Sequence, residues 1–118
     1  MKIQKTKGQI GEDLALRYLR ARGYGLISRN WRKKEGEIDL IVYDNVCHEL
    51  VFVEVKQRSS SKFGCVAESI SVSKMRKLTN IINRYINETG FRGKYRCDFI
   101  GIWRQNKLLH YKNLDFGY

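Results

Sequence analysis

An α/β fold, a mixed central β-sheet flanked by helices, is predicted for this chain of 118 residues by two kinds of periodicity and by what separates them. Two segments carry apolar residues at spacings of three and four, and each is closed by a glycine, as in amphipathic helices facing a core. Between and after them run long, nearly uninterrupted apolar stretches, the pattern of strands covered on both faces. Polar turns divide these stretches, so the order is αβββαββ within a single domain, 1–118.

The first helix is expected over Lys7 to Arg22, with Ile10, Leu14, Ala15, Tyr18 and Leu19 on its apolar face and Gly23 at its end. Tyr24 to Trp31 reads as a strand, and the basic turn Arg32-Lys33-Lys34-Glu35-Gly36 leads into a second one through Asp39. A hairpin at Asp44-Asn45 returns the chain as a third strand, Val51 to Lys56. From Gln57 to Glu68 the sequence is polar and basic with Gly64 inside, which fits a mobile loop at the mouth of a site. Ser69 to Thr89 holds the second helix, whose stripe is Val72, Met75, Leu78, Ile82 and Ile86, closed by Gly90. Tyr95 to Trp103 and Lys107 to Tyr111, parted by Arg104-Gln105-Asn106, complete the sheet.

A chain of this length supports one core and no separate substrate-binding domain, so specificity has to come from loops, surface or a partner. No apolar run is long enough for a membrane span, and the opening residues lack the apolar segment of a secretory signal, which makes the cytoplasm the default location. Cys47, Cys65 and Cys97 are odd in number and widely spaced, so neither a disulfide framework nor a zinc site is expected. Twenty-three Lys and Arg against twelve Asp and Glu give a net charge of +11, which favours a polyanionic partner such as nucleic acid.

Against that basic background a few acids stand out. Alternation along the third strand puts Glu54 and Lys56 on one face with Phe52, and Val51, Val53 and Val55 on the other. On the second strand Glu37, Asp39, Ile41 and Tyr43 point one way and Ile38, Leu40 and Val42 the other, so the hairpin can set Asp39 beside Glu54. Taken alone, an E-x-K at a strand end is an ordinary solvated ion pair. An aspartate on the neighbouring strand shifts the balance towards a metal-dependent phosphodiester-cleaving site. Glu12 lies three, four and seven residues before Ala15, Leu16 and Leu19, at the edge of the buried helix face, from which it can look into the sheet. Its competing role is to favour the positive end of the helix dipole. Two carboxylates about 4 Å apart repel by ~4 kcal/mol at an effective dielectric near 20, so a cluster of three calls for a cation or a proton.

Gly8-x-x-Gly11-Glu12, Asn30-Trp31-Arg32, Gly36-Glu37-Ile38-Asp39-Leu40-Ile41, Phe52-Val53-Glu54-Val55-Lys56-x-Arg58, Phe63-Gly64, Lys74 and Arg96-x-Asp98, in this order, resemble the YraN-like family of bacterial proteins over nearly the whole chain. Two departures touch no candidate ligand: Cys97 stands where an aromatic is usual, and a proline expected soon after Phe63-Gly64 is missing. The resemblance implies a restriction-endonuclease-like, PD-(D/E)xK core of the Holliday-junction-resolvase kind. The matching catalytic positions are Glu12, Asp39, Glu54 and Lys56.

Mg²⁺, or Mn²⁺ in its place, would then be held by Asp39, Glu54, the backbone carbonyl of Val55 and Glu12, all hard oxygen donors. Lys56 would orient the attacking water or offset developing charge. Arg32, Lys33, Lys34, Arg58, Lys62 and Lys74 are the expected contacts to nucleic acid, DNA ahead of RNA, with Trp31 either a stacking ring or a half-buried core residue. No base-reading motif is present, which points to structure-selective recognition of branched or flapped DNA, and a two-fold homodimer would suit a symmetric junction. Folds of this kind also serve as binding modules without turnover, and a basic adaptor for an acidic protein is a further alternative. Arg96 and Asp98 alternate with Cys97 and Phe99 and read as a structural ion pair.

Overall fold

The structure, a computed structural model, describes residues 6–57, 71–103 and 107–114. The first helix, α1 (Lys7–Ala21), opens on a capping box in which Thr6 Oγ1 accepts from the Gln9 amide at 3.2 Å and Gln9 Oε1 accepts from the Thr6 amide at 2.9 Å. There follow β1 (Tyr24–Lys33), β2 (Gly36–Asp44), β3 (Glu49–Gln57), α2 (Val72–Thr89), β4 (Tyr95–Ile102) and β5 (Leu108–Tyr111). Ser71 caps α2 by accepting from the Lys74 amide at 3.1 Å, and Gly90 ends it at φ 71°, a left-handed turn that costs glycine nothing. The expected start at Ser69 and the expected loop at 58–68 lie outside the described residues. No described helix is long and apolar enough to cross a membrane.

β1 outlasts its expected end at Trp31. Arg32 and Lys33 are therefore strand residues paired with Glu37 and Gly36, not part of the turn, which consists of Lys34 and Glu35. Gly36, at φ 146°, takes the chain out of that reversal. The sheet has the order β1-β2-β3-β4-β5. Its strands are antiparallel throughout except for β3 and β4, which are parallel and joined through α2. The sheet is thus mixed and carries one described helix on each face. Ala15, Leu16 and Leu19 of α1 pack on Leu40, Val42, Val51, Val53, Ile100 and Ile102, while Leu78, Ile81, Ile82 and Tyr85 of α2 pack on Ile38, Ile41, Leu50 and Phe52.

Strict alternation does not hold along β2. Ile38 was expected beside Leu40 and Val42, yet it packs with Ile41 on the α2 side, while Leu40 and Val42 face α1. The strand rolls at Asp39, and the cause lies in its neighbours. The β2–β3 ladder runs from Asp44–Glu49 to Leu40–Val53 and stops there, although β2 goes on pairing with β1 as far as Gly36. On β1, Asn30 has a left-handed φ of 55° close to the same point.

At the opposite end of the sheet, on the α1 face, the expected pair of Arg96 and Asp98 is present and belongs to a larger buried network. Arg96 donates to Asp98 Oδ1 (3.0 Å), Asp44 Oδ2 (3.0 Å), Glu49 Oε1 (3.4 Å) and the Tyr24 hydroxyl (2.9 Å). His110 Nε2 lies 2.8 Å from Asp98 Oδ2, and its Nδ1 lies 3.1 Å from the Tyr18 hydroxyl. Asp98, fully buried, also accepts from the Asn113 amide at 2.9 Å.

Candidate functional site

Where β2 and β3 separate, each loses a run of ladder hydrogen bonds, and a buried amide left without an acceptor is costly. Asp39 fills the gap: its Oδ2 accepts from the Val55 amide at 2.8 Å, taking the place of a strand carbonyl. This contact fixes the carboxylate between the strands and explains the roll of β2. It also brings Asp39 next to the residues that flank Val55.

Glu54 points towards α2, where Lys74 Nζ lies 3.0 Å from its Oε1. Glu12, 8% exposed, comes from α1 on the other face and has Arg29 Nε of β1 at 3.4 Å. Arg29 also bonds Asp13 at 2.6 Å and the Gln9 carbonyl at 3.2 Å, so it ties the first turns of α1 to the sheet. Gly11 allows that close approach, since a Cβ there would stand 3.3 Å from Gln57 Oε1. Each outer carboxylate therefore has a cation beside it. Asp39 has no basic partner among the described residues. Burial, and next the charge of Glu54, push its carboxyl up to about 7; the Val55 amide opposes this, and Glu12 and Glu37 add to it. Asp39, Glu54 and Glu12 thus sit within electrostatic reach of one another.

Lys56 follows two residues after Glu54 on β3, is exposed, and pairs in register with Gly101. Beside Glu54 a cleft of about 150 Å³ opens between the start of β2 and the first turns of α2, lined by Gly36, Glu37, Lys74, Lys77, Leu78 and Ile81. Among the expected nucleic-acid contacts, Arg32 is well exposed and bonds Glu37 at 3.2 Å. Lys33 lies 3.2 Å from Glu88 and 5.3 Å from the Trp31 ring centroid. Trp31 is half-buried against Tyr85, as the core-residue alternative required. Lys34 is exposed at the hairpin tip. Arg58 and Lys62 lie outside the described residues. Arg29 escaped the sequence reading; the only trace of its role is a cation on a strand next to a helix whose second turn holds Glu12 and Asp13.

The donor set suits a hard divalent cation: Asp39, Glu54, Glu12 and the Val55 carbonyl offer oxygen only. Asp39 is also a half-buried acid raised by desolvation and then by its acidic neighbours, the condition that an added cation relieves. Among the described residues, no three His, Cys, Asp or Glu side chains stand close enough to enclose an ion without rearrangement. Lys74 and Arg29, each within 3.4 Å of an outer carboxylate, would have to yield for the donors to converge.

Fold and site together define an α/β protein with one mixed sheet, with a buried Glu12 and half-buried Asp39 and Glu54 where two of its strands part. The chain belongs to the uncharacterised protein family UPF0102, the YraN-like family its motifs resemble, and the match covers residues 11–102. It is 40% identical over 114 residues to a UPF0102 protein of Sulfurihydrogenibium sp. (strain YO3AOP1), covering 94% of this chain and 96% of that one. A UPF0102 protein of Carboxydothermus hydrogenoformans is 40% identical over 118 residues, with 96% and 98% covered. One from Brachyspira hyodysenteriae is 43% identical over 101 residues, with 84% and 82% covered.

Proposed function

We propose that this protein is a metal-dependent endonuclease that hydrolyses phosphodiester bonds in structured or branched DNA, on a restriction-endonuclease-like, PD-(D/E)xK core. The observation that carries the reading is Asp39, fixed in the parting of β2 and β3 by the Val55 amide and raised to about 7 by loss of hydration and then by the charge of Glu54. A protein that only held phosphates would gain nothing from buried carboxylates facing them, because each would repel the DNA backbone. Asp39, Glu54 and the Val55 carbonyl are the proposed ligands of Mg²⁺ or Mn²⁺, with Glu12 completing the set from α1. When bound, the cation supplies Lewis-acid polarisation of a phosphoryl oxygen and of the attacking water. Lys56, exposed at the end of β3, orients that water and offsets the charge that grows during in-line displacement. Arg32, Lys33, Lys34, Arg58, Lys62 and Lys74 grip the phosphates, and the +11 net charge draws the polyanion in.

The test is a cleavage assay with purified protein over duplex, single-stranded, flap and four-way DNA and RNA counterparts, in Mg²⁺ or Mn²⁺, beside Glu54→Ala and Lys56→Ala. Metal-dependent nicking lost in both variants is the expected result. Salt-sensitive binding that survives EDTA, with no product from any substrate, would instead identify a nucleic-acid-binding module without turnover.

A further inference from the structure

The cation nearest the proposed ligands belongs to the protein itself. Lys74 Nζ sits 3.0 Å from Glu54 Oε1, an oxygen the proposed metal also needs. An ammonium and a divalent cation in contact with one carboxylate repel each other, so each weakens the hold of the other. Lys74 has somewhere to go. It is on the first turn of α2, whose backbone is held by the Ser71 cap, and its side chain is 33% exposed at the rim of the cleft. Lys77, three residues on, lines the same cleft, and Leu78 and Ile81 form its apolar part. The cleft therefore presents two ammonium groups beside two carboxylates, Glu37, which Arg32 neutralises at 3.2 Å, and Glu54, which the metal would neutralise.

We infer that Lys74 is exchanged between Glu54 and the substrate: it neutralises Glu54 until metal binds, then turns with Lys77 onto a DNA phosphate next to the cleaved one. The inference rests on the proposed function and adds a phosphate subsite and a coupling. Metal frees Lys74 for DNA, and DNA draws Lys74 from Glu54 and opens that oxygen to metal. By thermodynamic linkage each ligand strengthens the other by the same factor.

Mn²⁺ binding to the whole protein, measured calorimetrically without DNA, tests the exchange on Lys74→Met, Lys74→Arg and Lys77→Met. Lys74→Met should bind Mn²⁺ about five- to tenfold more tightly than the parent, because its competitor is gone. Lys74→Arg should stay near the parent value, and so should Lys77→Met. With a labelled four-way junction in Ca²⁺, both methionine variants should bind more weakly, each lowering the log–log salt slope by about one. If Mn²⁺ binds the parent and Lys74→Met equally well, the exchange is overturned and the endonuclease reading survives. If none of the proteins binds Mn²⁺, that reading falls and the exchange falls with it.

Discussion

Carboxylates are wholly or partly buried in two regions of this sheet, around Arg96 and around Asp39, and the two regions treat them in opposite ways. Beneath α1 at the far end, Asp44 accepts from Arg96 and from the Val46 and Cys47 amides, and these partners overcome burial to hold its carboxyl down at about 2. Asp98, more deeply buried, is also held below the ordinary range by His110, Arg96 and the Asn113 amide. At the near end Asp39 has a single amide and acidic neighbours, and its carboxyl rises to about 7. Asp44 and Asp98 are buried and Asp39 is half-buried, yet desolvation raises all three, so partners decide the outcome. A buried acid with its counter-charges built in belongs to the architecture, whereas one lacking them marks a place where something else is to bind.

The contrast can be broken first at Arg96. Arg96→Ala leaves Asp44 and Asp98 without their cation and should cost about 3–5 kcal/mol in denaturant unfolding, while Mn²⁺ affinity of the folded protein stays near the parent value. Next is Asp44. Its folded pKa lies below the ordinary one, so its stabilisation is present above about pH 4 and disappears as pH falls through about 2. Asp44→Asn should be less stable than the parent by about 2 kcal/mol at pH 7, and the two unfolding curves should converge in acid.

Asp39 has the reverse sign. Its folded pKa is raised, so it takes up a proton on folding, and its penalty grows from about pH 4 and is complete above about 7. Asp39→Asn should therefore be more stable than the parent by about 1–2 kcal/mol at pH 8 and no different at pH 4. Saturating Mn²⁺ should stabilise the parent only and close the gap at pH 8. The smallest effect is expected of Gly11→Ala. Helix propensity favours the alanine by about 1 kcal/mol, and displacing the flexible Gln57 side chain cancels most of that. Thermal unfolding should shift little, by no more than a few degrees.

Elements that obey a period were legible in the sequence. α2 and its Gly90 end lie where the apolar stripe placed them, although Val72, counted in the stripe, is 60% exposed because it opens the first turn before the helix reaches the sheet. Glu54 faces α2 with Phe52, as alternation along β3 required. The failures occur where the period is locally broken. Ile38 changed faces because a side chain replaces a ladder bond at Asp39, and period-two arithmetic does not register that substitution. The contacts of Arg29 with Glu12, His110 with Asp98 and Tyr18 with His110 went unnoticed for another reason: the partners are 17, 12 and 92 residues apart along the chain, and only the folded sheet joins them.

Arg96 also polices the alignment of the strands. β3 and β4 are parallel, and a slide of two residues would turn no side chain to the wrong face, so apolar burial alone discriminates poorly against it. Such a slide would carry the guanidinium about 6.6 Å along the sheet, out of reach of Tyr24 on β1 and Asp44 on β2, and strand a charge in a dry interior. Misaligned sheets are thereby penalised while the chain assembles. The register that sets Glu54 against Phe99 and Val55 against Ile100 is thus guarded by one guanidinium on β4.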